Sequence, residues 1–193
     1  PLRSSAASDV YKRQELYVGF KDAKKIYKLI VEAGKNFNLS NCGMHTMDVM
    51  RMESGFLHWG HDISPQENQY EAGLNFLISL KKNVDFIGKE SLLKIKDKKL
   101  NKRFIMLCLK KSKPGEPLIL HDEPIYLDNK IIGVTTSGNY SFNFNKNLSF
   151  GYIKSDHSNL ELSKKNLFIE IEKIKYPAEV LLNPLKQTDF KKM

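Results

Sequence analysis

The chain has 193 residues, of which 41% are hydrophobic and 10% aromatic, enough for one or two domains with a packed core and too apolar for a disordered chain. Its formal net charge of +9 comes from lysines spread along the sequence, with few arginines and no aromatic platform interleaved among them, which argues against a nucleic-acid partner. No apolar run approaches the roughly 20 residues of a membrane helix, no secretory h-region is visible, and Cys42 and Cys108 form no CxxC pair, so a reducing, cytoplasmic setting is expected.

Residues 1–14 read differently from the rest. Ser5-Ala6-Ala7-Ser8-Asp9-Val10-Tyr11-Lys12-Arg13-Gln14 looks like a cloning junction and is taken as a non-native leader. A short strand is expected over Glu15–Gly19. An amphipathic helix follows over Asp22–Gly34, with Ala23, Ile26, Tyr27, Ile30 and Ala33 at helical spacing and Gly34 as its stop. A second helix is expected over Met44–Glu53, closed by Gly55, with Met44, Met47, Met50 and Met52 as packing residues. Phe56–Glu71 reads as a long polar loop of the kind that lines a site. Leu74–Leu80 reads as a strand, and Asp85–Lys89 as a turn into a helix that ends near Lys99.

After Asn101 the pattern changes to short strands. They are expected at Arg103–Leu109, Pro117–His121, Pro124–Leu127, Lys130–Thr136, Leu148–Ile153, Leu167–Lys173 and Tyr176–Leu182, with turns at Pro114–Pro117 and Asp128-Asn129. Close strand spacing without a long helix predicts a small antiparallel barrel. The fold class is therefore α+β. A domain boundary falls near Lys99–Lys102, dividing residues 15–100 from a barrel domain over 101–187, with 188–193 as a tail.

Several motifs, in order, carry a family resemblance. Glu15-Leu16-Tyr17-Val18, Asp48-Val49-Met50-Arg51-Met52-Glu53-Ser54-Gly55, Glu71-Ala72-Gly73-Leu74 and Asp85-Phe86-Ile87-Gly88-Lys89-Glu90-Ser91-Leu92 resemble the aminomethyltransferase (glycine-cleavage T-protein) family. Thr136-Ser137-Gly138 and Gly151-Tyr152-Ile153 resemble that family's C-terminal barrel. His45-Thr46-Met47-Asp48 and Leu57-His58-Trp59-Gly60 resemble the version fused to FAD-dependent sarcosine or dimethylglycine dehydrogenases. The resemblance implies a truncated folate-binding domain followed by the barrel. It also implies tetrahydrofolate as cofactor, FAD in the parent protein only, and a small N-methyl amine or aminomethyl donor as substrate. The diffuse positive charge suits an anionic folate tail.

Carried over residue by residue, Glu15 falls at the family's pterin-binding glutamate, where a carboxylate accepts an amino group and the adjacent ring N–H together. Trp59 falls where the family often has an aromatic near folate, and its indole can stack on a flat ring. Arg51 could clamp the folate carboxylates or pair with a carboxylate of its own chain such as Glu53. His45, His58 and His61 lack metal-ligand spacing, so no metal site is expected. Two departures matter. Met47 stands where the stand-alone enzymes usually carry arginine. The family's essential aspartate belongs to a half-domain upstream of Glu15, so no catalytic residue is expected in this chain, and the missing half-domain counts among its partners.

Overall fold

The computed structural model describes residues 16–186. The chain divides into two compact units between Met44 and His45. The expected strand at Glu15–Gly19 does not form over its described part: Leu16–Gly19 are in no strand, and Glu15 lies outside the described residues. A strand needs a partner ladder, and here the chain turns at once into helix α1 (Phe20–Gly34). Gly19 is its N-cap in extended conformation and accepts the Asp22 amide at 2.9 Å. A 3₁₀ turn (Lys35–Phe37) follows, ended by Asn38 at φ 55. The apolar stripe predicted for α1 is present, yet none of its residues is buried.

The second unit opens with helix α2 (Met44–Glu53). Of its four methionines only Met52 is buried; Met44, Met47 and Met50 are exposed, against the expectation that all four pack. The helix ends as the sequence suggests. Gly55, at φ 74, donates to the Met52 carbonyl at 3.1 Å and Phe56 donates to the Arg51 carbonyl at 2.8 Å, a paired closure that needs a left-handed residue. The predicted strand Leu74–Leu80 is instead a 3₁₀ turn at Asn75–Leu77. Its amides bond locally, Leu74 to Gln69 and Leu77 to Leu74, so no ladder is available. Helix α3 (Lys89–Ile95) stops a turn before Lys99.

Strands β1 (Lys102–Leu109), β2 (Pro124–Leu127), β3 (Lys130–Ser141), β4 (Lys146–Lys154), β5 (Leu167–Ile171) and β6 (Ile174–Val180) close an antiparallel barrel in the order β1-β4-β3-β2-β5-β6. Alternation makes the core: Ile105, Leu107 and Leu109 of β1 cluster with Ile125, Ile169 and Ala178, while Cys108 on the other face joins Met52, Leu148 and Phe150. Leu181 and Leu185 pack on that second cluster, which is why β4 is buried along most of its length. The β5–β6 hairpin turns on Glu172 and Lys173, both at positive φ, and so cuts the expected strand Leu167–Lys173 short.

Pro117–His121, expected as a strand, is irregular. Its carbonyls are taken by side chains instead: Asn147 Nδ2 donates to Pro117 O at 2.9 Å and Thr135 Oγ1 to Leu120 O at 2.8 Å. Ile119 still reaches the core. A short helix missing from the sequence reading, α4 (Asn159–Leu162), carries a complete capping box between Ser158 and Glu161 and buries Leu162 in the barrel core. Residues 45–100, set apart from the barrel by the sequence reading, lie in the same compact unit as the barrel.

Gly55→Ala tests the closure of α2. A Cβ there would sit 2.6 Å from Pro184 Cγ, on a backbone that disfavours any side chain. The expected loss is about 1–3 kcal/mol in urea unfolding; a loss below about 0.5 kcal/mol would remove Gly55 from the account.

Candidate functional site

Asp62 is the centre of the second unit's polar structure. It is 1% exposed, and its carboxylate accepts four hydrogen bonds. Oδ2 accepts from Arg51 Nη1 at 2.5 Å and from the His58 amide at 2.9 Å. Oδ1 accepts from Thr136 Oγ1 at 2.6 Å and from Ser137 Oγ at 2.8 Å. Adjacent strand residues ordinarily point to opposite faces. Here the β3–β4 register shifts between Thr135 and Ser137, leaving Thr136 as the extra residue. This bulge lets both hydroxyls reach one oxygen.

Arg51 is filled by its own chain. Nε and Nη2 each lie 2.6 Å from Asp48 Oδ1. Nη1 reaches Asp62 and also the Phe56 carbonyl at 3.2 Å, and Nη2 donates to Ser137 Oγ at 2.8 Å. These contacts engage all three nitrogens of the guanidinium. Glu53 is not its partner. That buried carboxylate faces the β3–β4 hairpin, accepting from Ser141 Oγ at 2.6 Å and from Asn143 Nδ2 at 3.0 and 3.1 Å. Helix α2 is therefore fastened to β3 twice, through Arg51 and Asp62 and through Glu53.

The loop that supplies Asp62 also presents Trp59. Gly60 donates to the Ile63 carbonyl at 2.8 Å and Asp62 to the His58 carbonyl at 2.8 Å, closing a tight loop that carries Trp59. Trp59 is 65% exposed at its tip. The rings of His58 and His61 lie 4.6 Å apart on the same loop. No group of three metal-ligating side chains occurs among the described residues. Of the residues singled out from sequence, the structure brings Arg51 and Trp59 onto one braced assembly, while Glu15 lies outside the described residues. Asp62, Thr136 and Ser137 as a carboxylate cage do not follow from the sequence: Thr136 and Ser137 stand in a barrel motif and Asp62 in a polar loop, with nothing local to join them.

Beside this cage, Lys102 pairs with Glu67, whose other oxygen accepts the Ser64 amide at 2.8 Å and hydroxyl at 2.6 Å. Burial opposes the charge on Glu67, but the bonds from Lys102 and Ser64 outweigh it and hold the carboxyl below its ordinary range. Tyr152 lies nearby, its ring 5.0 Å from Lys102 Nζ. Its buried hydroxyl has no hydrogen-bond partner among the described residues, and burial, then the charges of Glu67, Asp62 and Glu71, push its ionisation up. Two clefts of about 800 and 480 Å³ are lined by residues 111–118 with 171–177, and by residues 69–92; neither includes Arg51, Trp59 or Asp62.

Asp62→Ala would leave the arginine, two hydroxyls and an amide without their common acceptor. Removing one partner of a buried pair costs about 3–5 kcal/mol, and urea unfolding should show a loss of that size. A loss below about 1 kcal/mol would mean that the cage does not carry the unit's stability.

The comparisons with known proteins agree with this architecture. Residues 14–82 match the family model described as the GCVT N-terminal domain, and residues 102–186 the one described as the glycine cleavage T-protein C-terminal barrel domain. The mitochondrial dimethylglycine dehydrogenase of Rattus norvegicus is 34% identical over 177 residues, covering 91% of this chain and 20% of that protein. The 4-methylaminobutanoate oxidase (formaldehyde-forming) of Paenarthrobacter nicotinovorans is 32% identical over 170 residues, covering 88% of this chain and 20% of that protein. This chain thus spans about a fifth of the length of these relatives. The crystal structure of the glycine cleavage system aminomethyltransferase T from Bartonella henselae superposes with a TM-score of 0.70 at 20% identity, over 84% of this chain and 44% of that one, which shows a shared fold. With both domain models matched in chain order, the chain belongs to the glycine-cleavage T-protein (aminomethyltransferase) family.

Proposed function

We propose that this chain is the C-terminal part of a tetrahydrofolate-dependent one-carbon transferase, joined to an FAD-dependent dehydrogenase of small N-methyl amines such as sarcosine or dimethylglycine. The observation that carries this reading is the order of the two matched domain models, found together with relatives that are dehydrogenases and oxidases of N-methyl amines. On this reading residues 15–100 complete a folate-binding domain and residues 101–187 form the barrel domain. The catalytic aspartate and the flavin belong to other parts of the parent. The one-carbon unit arrives at the oxidation level of formaldehyde.

Each candidate residue then has a physical task. Glu15 accepts two pterin N–H groups as a charge-assisted pair. Trp59 offers an exposed indole face for the pterin or aminobenzoyl ring. Arg51, its donors already engaged, acts as a positioning residue that holds the Trp59 loop through Asp62. When bound, tetrahydrofolate supplies the nitrogen that accepts the one-carbon unit. The rat relative is named a mitochondrial protein, and an organelle interior suits the two free thiols as well as the cytoplasm does. No described helix is long and apolar enough to cross a membrane.

A stand-alone glycine-cleavage aminomethyltransferase is the runner-up, supported by the fold shared with the Bartonella protein. Met47, in place of the usual arginine, weighs against it and supports a third reading, a non-catalytic folate-fold binding module. Titrating the chain with tetrahydrofolate while following emission of its single tryptophan tests the folate site on which these readings rest. Saturable quenching is expected, with Glu15→Ala weakening the affinity by about 1.5–3 kcal/mol. Quenching that is absent, or that Glu15→Ala leaves unchanged, overturns the assignment of these residues to folate.

A further inference from the structure

Three side chains that this function does not use meet on the outer face of the barrel. Cys108 on β1 is opposite Glu179 on β6 and opposite Leu148 on β4, with Lys146 two residues along that strand. Cys108 Sγ donates to Glu179 Oε1 at 3.2 Å, Lys146 Nζ lies 2.9 Å from the same oxygen, and Nζ and Sγ are 3.8 Å apart. The thiol is completely buried, whereas the Lys146 and Glu179 side chains are 38% and 42% exposed. Burial, then the Glu179 carboxylate, raise the Cys108 thiol to about 12, so it is protonated at neutral pH and inert as a thiolate.

This arrangement admits one class of reagent. A bulky electrophile cannot reach a thiol with no exposed surface, and Cys42, which is exposed, would meet it first. A one-carbon aldehyde has a second route, because it can be captured by the accessible amine and delivered across the gap. We infer that Lys146, Cys108 and Glu179 form a modification site for a one-carbon aldehyde, which bridges Lys146 Nζ and Cys108 Sγ through a single methylene. The choice of aldehyde rests on the one-carbon function proposed above; the juxtaposition of the three groups does not.

The steps balance without an oxidant. The unprotonated Lys146 amine adds to the aldehyde carbon, forming an N–C bond, and the C=O pair becomes a hydroxyl after proton transfer. A proton from solvent, made good by the thiol proton released in the next step, lets that oxygen leave as water and gives an iminium carbon on Nζ. The Cys108 sulfur attacks this carbon and the C=N pair returns to nitrogen. The thiol proton passes to Glu179, which already accepts it as a hydrogen bond. The product ties β1 to β4 covalently, and water is the only by-product. Because Glu179 first of all favours the charged form of Lys146, capture quickens as pH rises above neutral.

The test treats the chain carrying Cys42→Ser with formaldehyde and then with excess free amine, which strips reversible lysine adducts. The expected result is a retained mass gain of one carbon atom and, after digestion, a linked pair of peptides containing Cys108 and Lys146. Lys146→Met and Cys108→Ala should each abolish the link, and Glu179→Gln should slow it. The folded chain should link roughly tenfold faster than the chain unfolded in dodecyl sulfate, a denaturant with no amine to consume the aldehyde, because the fold holds the two groups together. Equal rates folded and unfolded, or no Cys108–Lys146 peptide, overturn the proposal. The tetrahydrofolate titration reads the parent function separately, so either can fail while the other stands.

Discussion

A buried carboxylate is costly unless it is paired and hydrogen-bonded on every side, and Asp62 meets that condition by drawing three segments of chain onto one group. Helix α2 supplies Arg51, the loop supplies the His58 amide, and β3 supplies Thr136 and Ser137. None of these donors is interchangeable in space. The arginine has to come from the barrel-facing side of α2, where Met52 is buried, and the hydroxyls have to come from a bulge, since a regular strand would offer only one of them. The cage therefore sets the position of α2 on the barrel and the shape of the loop together.

The barrel in turn explains why that arrangement is stable. Closure leaves no edge strand to pair elsewhere, and the outward face of β1 and β4 is covered twice, by Met52 from α2 and by Leu181 and Leu185 from the segment after β6. Gly55 links these two coverings, because its tight closure of α2 brings the chain against Pro184. Sequence-distant segments thus converge on one face of two strands. The polar cage sits at the edge of this apolar seam, where Arg51 lies 5.7 Å over the Phe150 ring.

What could be read in the sequence followed from periodicity and from glycine. The three helices before the barrel, the six barrel strands and the stop at Gly55 all announce themselves locally. The failures share a cause. Leu74–Leu80 and Pro117–His121 have strand-like composition, yet whether an extended segment becomes a strand depends on a free ladder beside it, and here local turns and the side chains of Asn147 and Thr135 take the backbone groups instead. The capping box of α4, by contrast, was legible in Ser158 and Glu161 and passed unnoticed because the helix is only four residues long. In the site, Arg51 was visible as a charged group on a helix, but its partners were not. Glu53 is two residues away, which is the wrong face of a helix, and the true partners, Asp48 and the Phe56 carbonyl apart, are 11 and 86 residues distant.

That outcome alters how the arginine contributes to ligand recognition. A guanidinium whose three nitrogens are all engaged would clamp a ligand carboxylate at the expense of Asp62, and a buried carboxylate so abandoned costs several kcal/mol, more than a solvent-exposed ion pair with a ligand returns. The physical balance favours Arg51 staying in place. Its value to binding is then preorganisation: holding the loop that carries an aromatic ahead of time spares part of the ordering cost when a ligand stacks. Trp59, exposed at the tip of a loop whose base is fixed by Asp62, is the side chain in the second unit best placed to benefit.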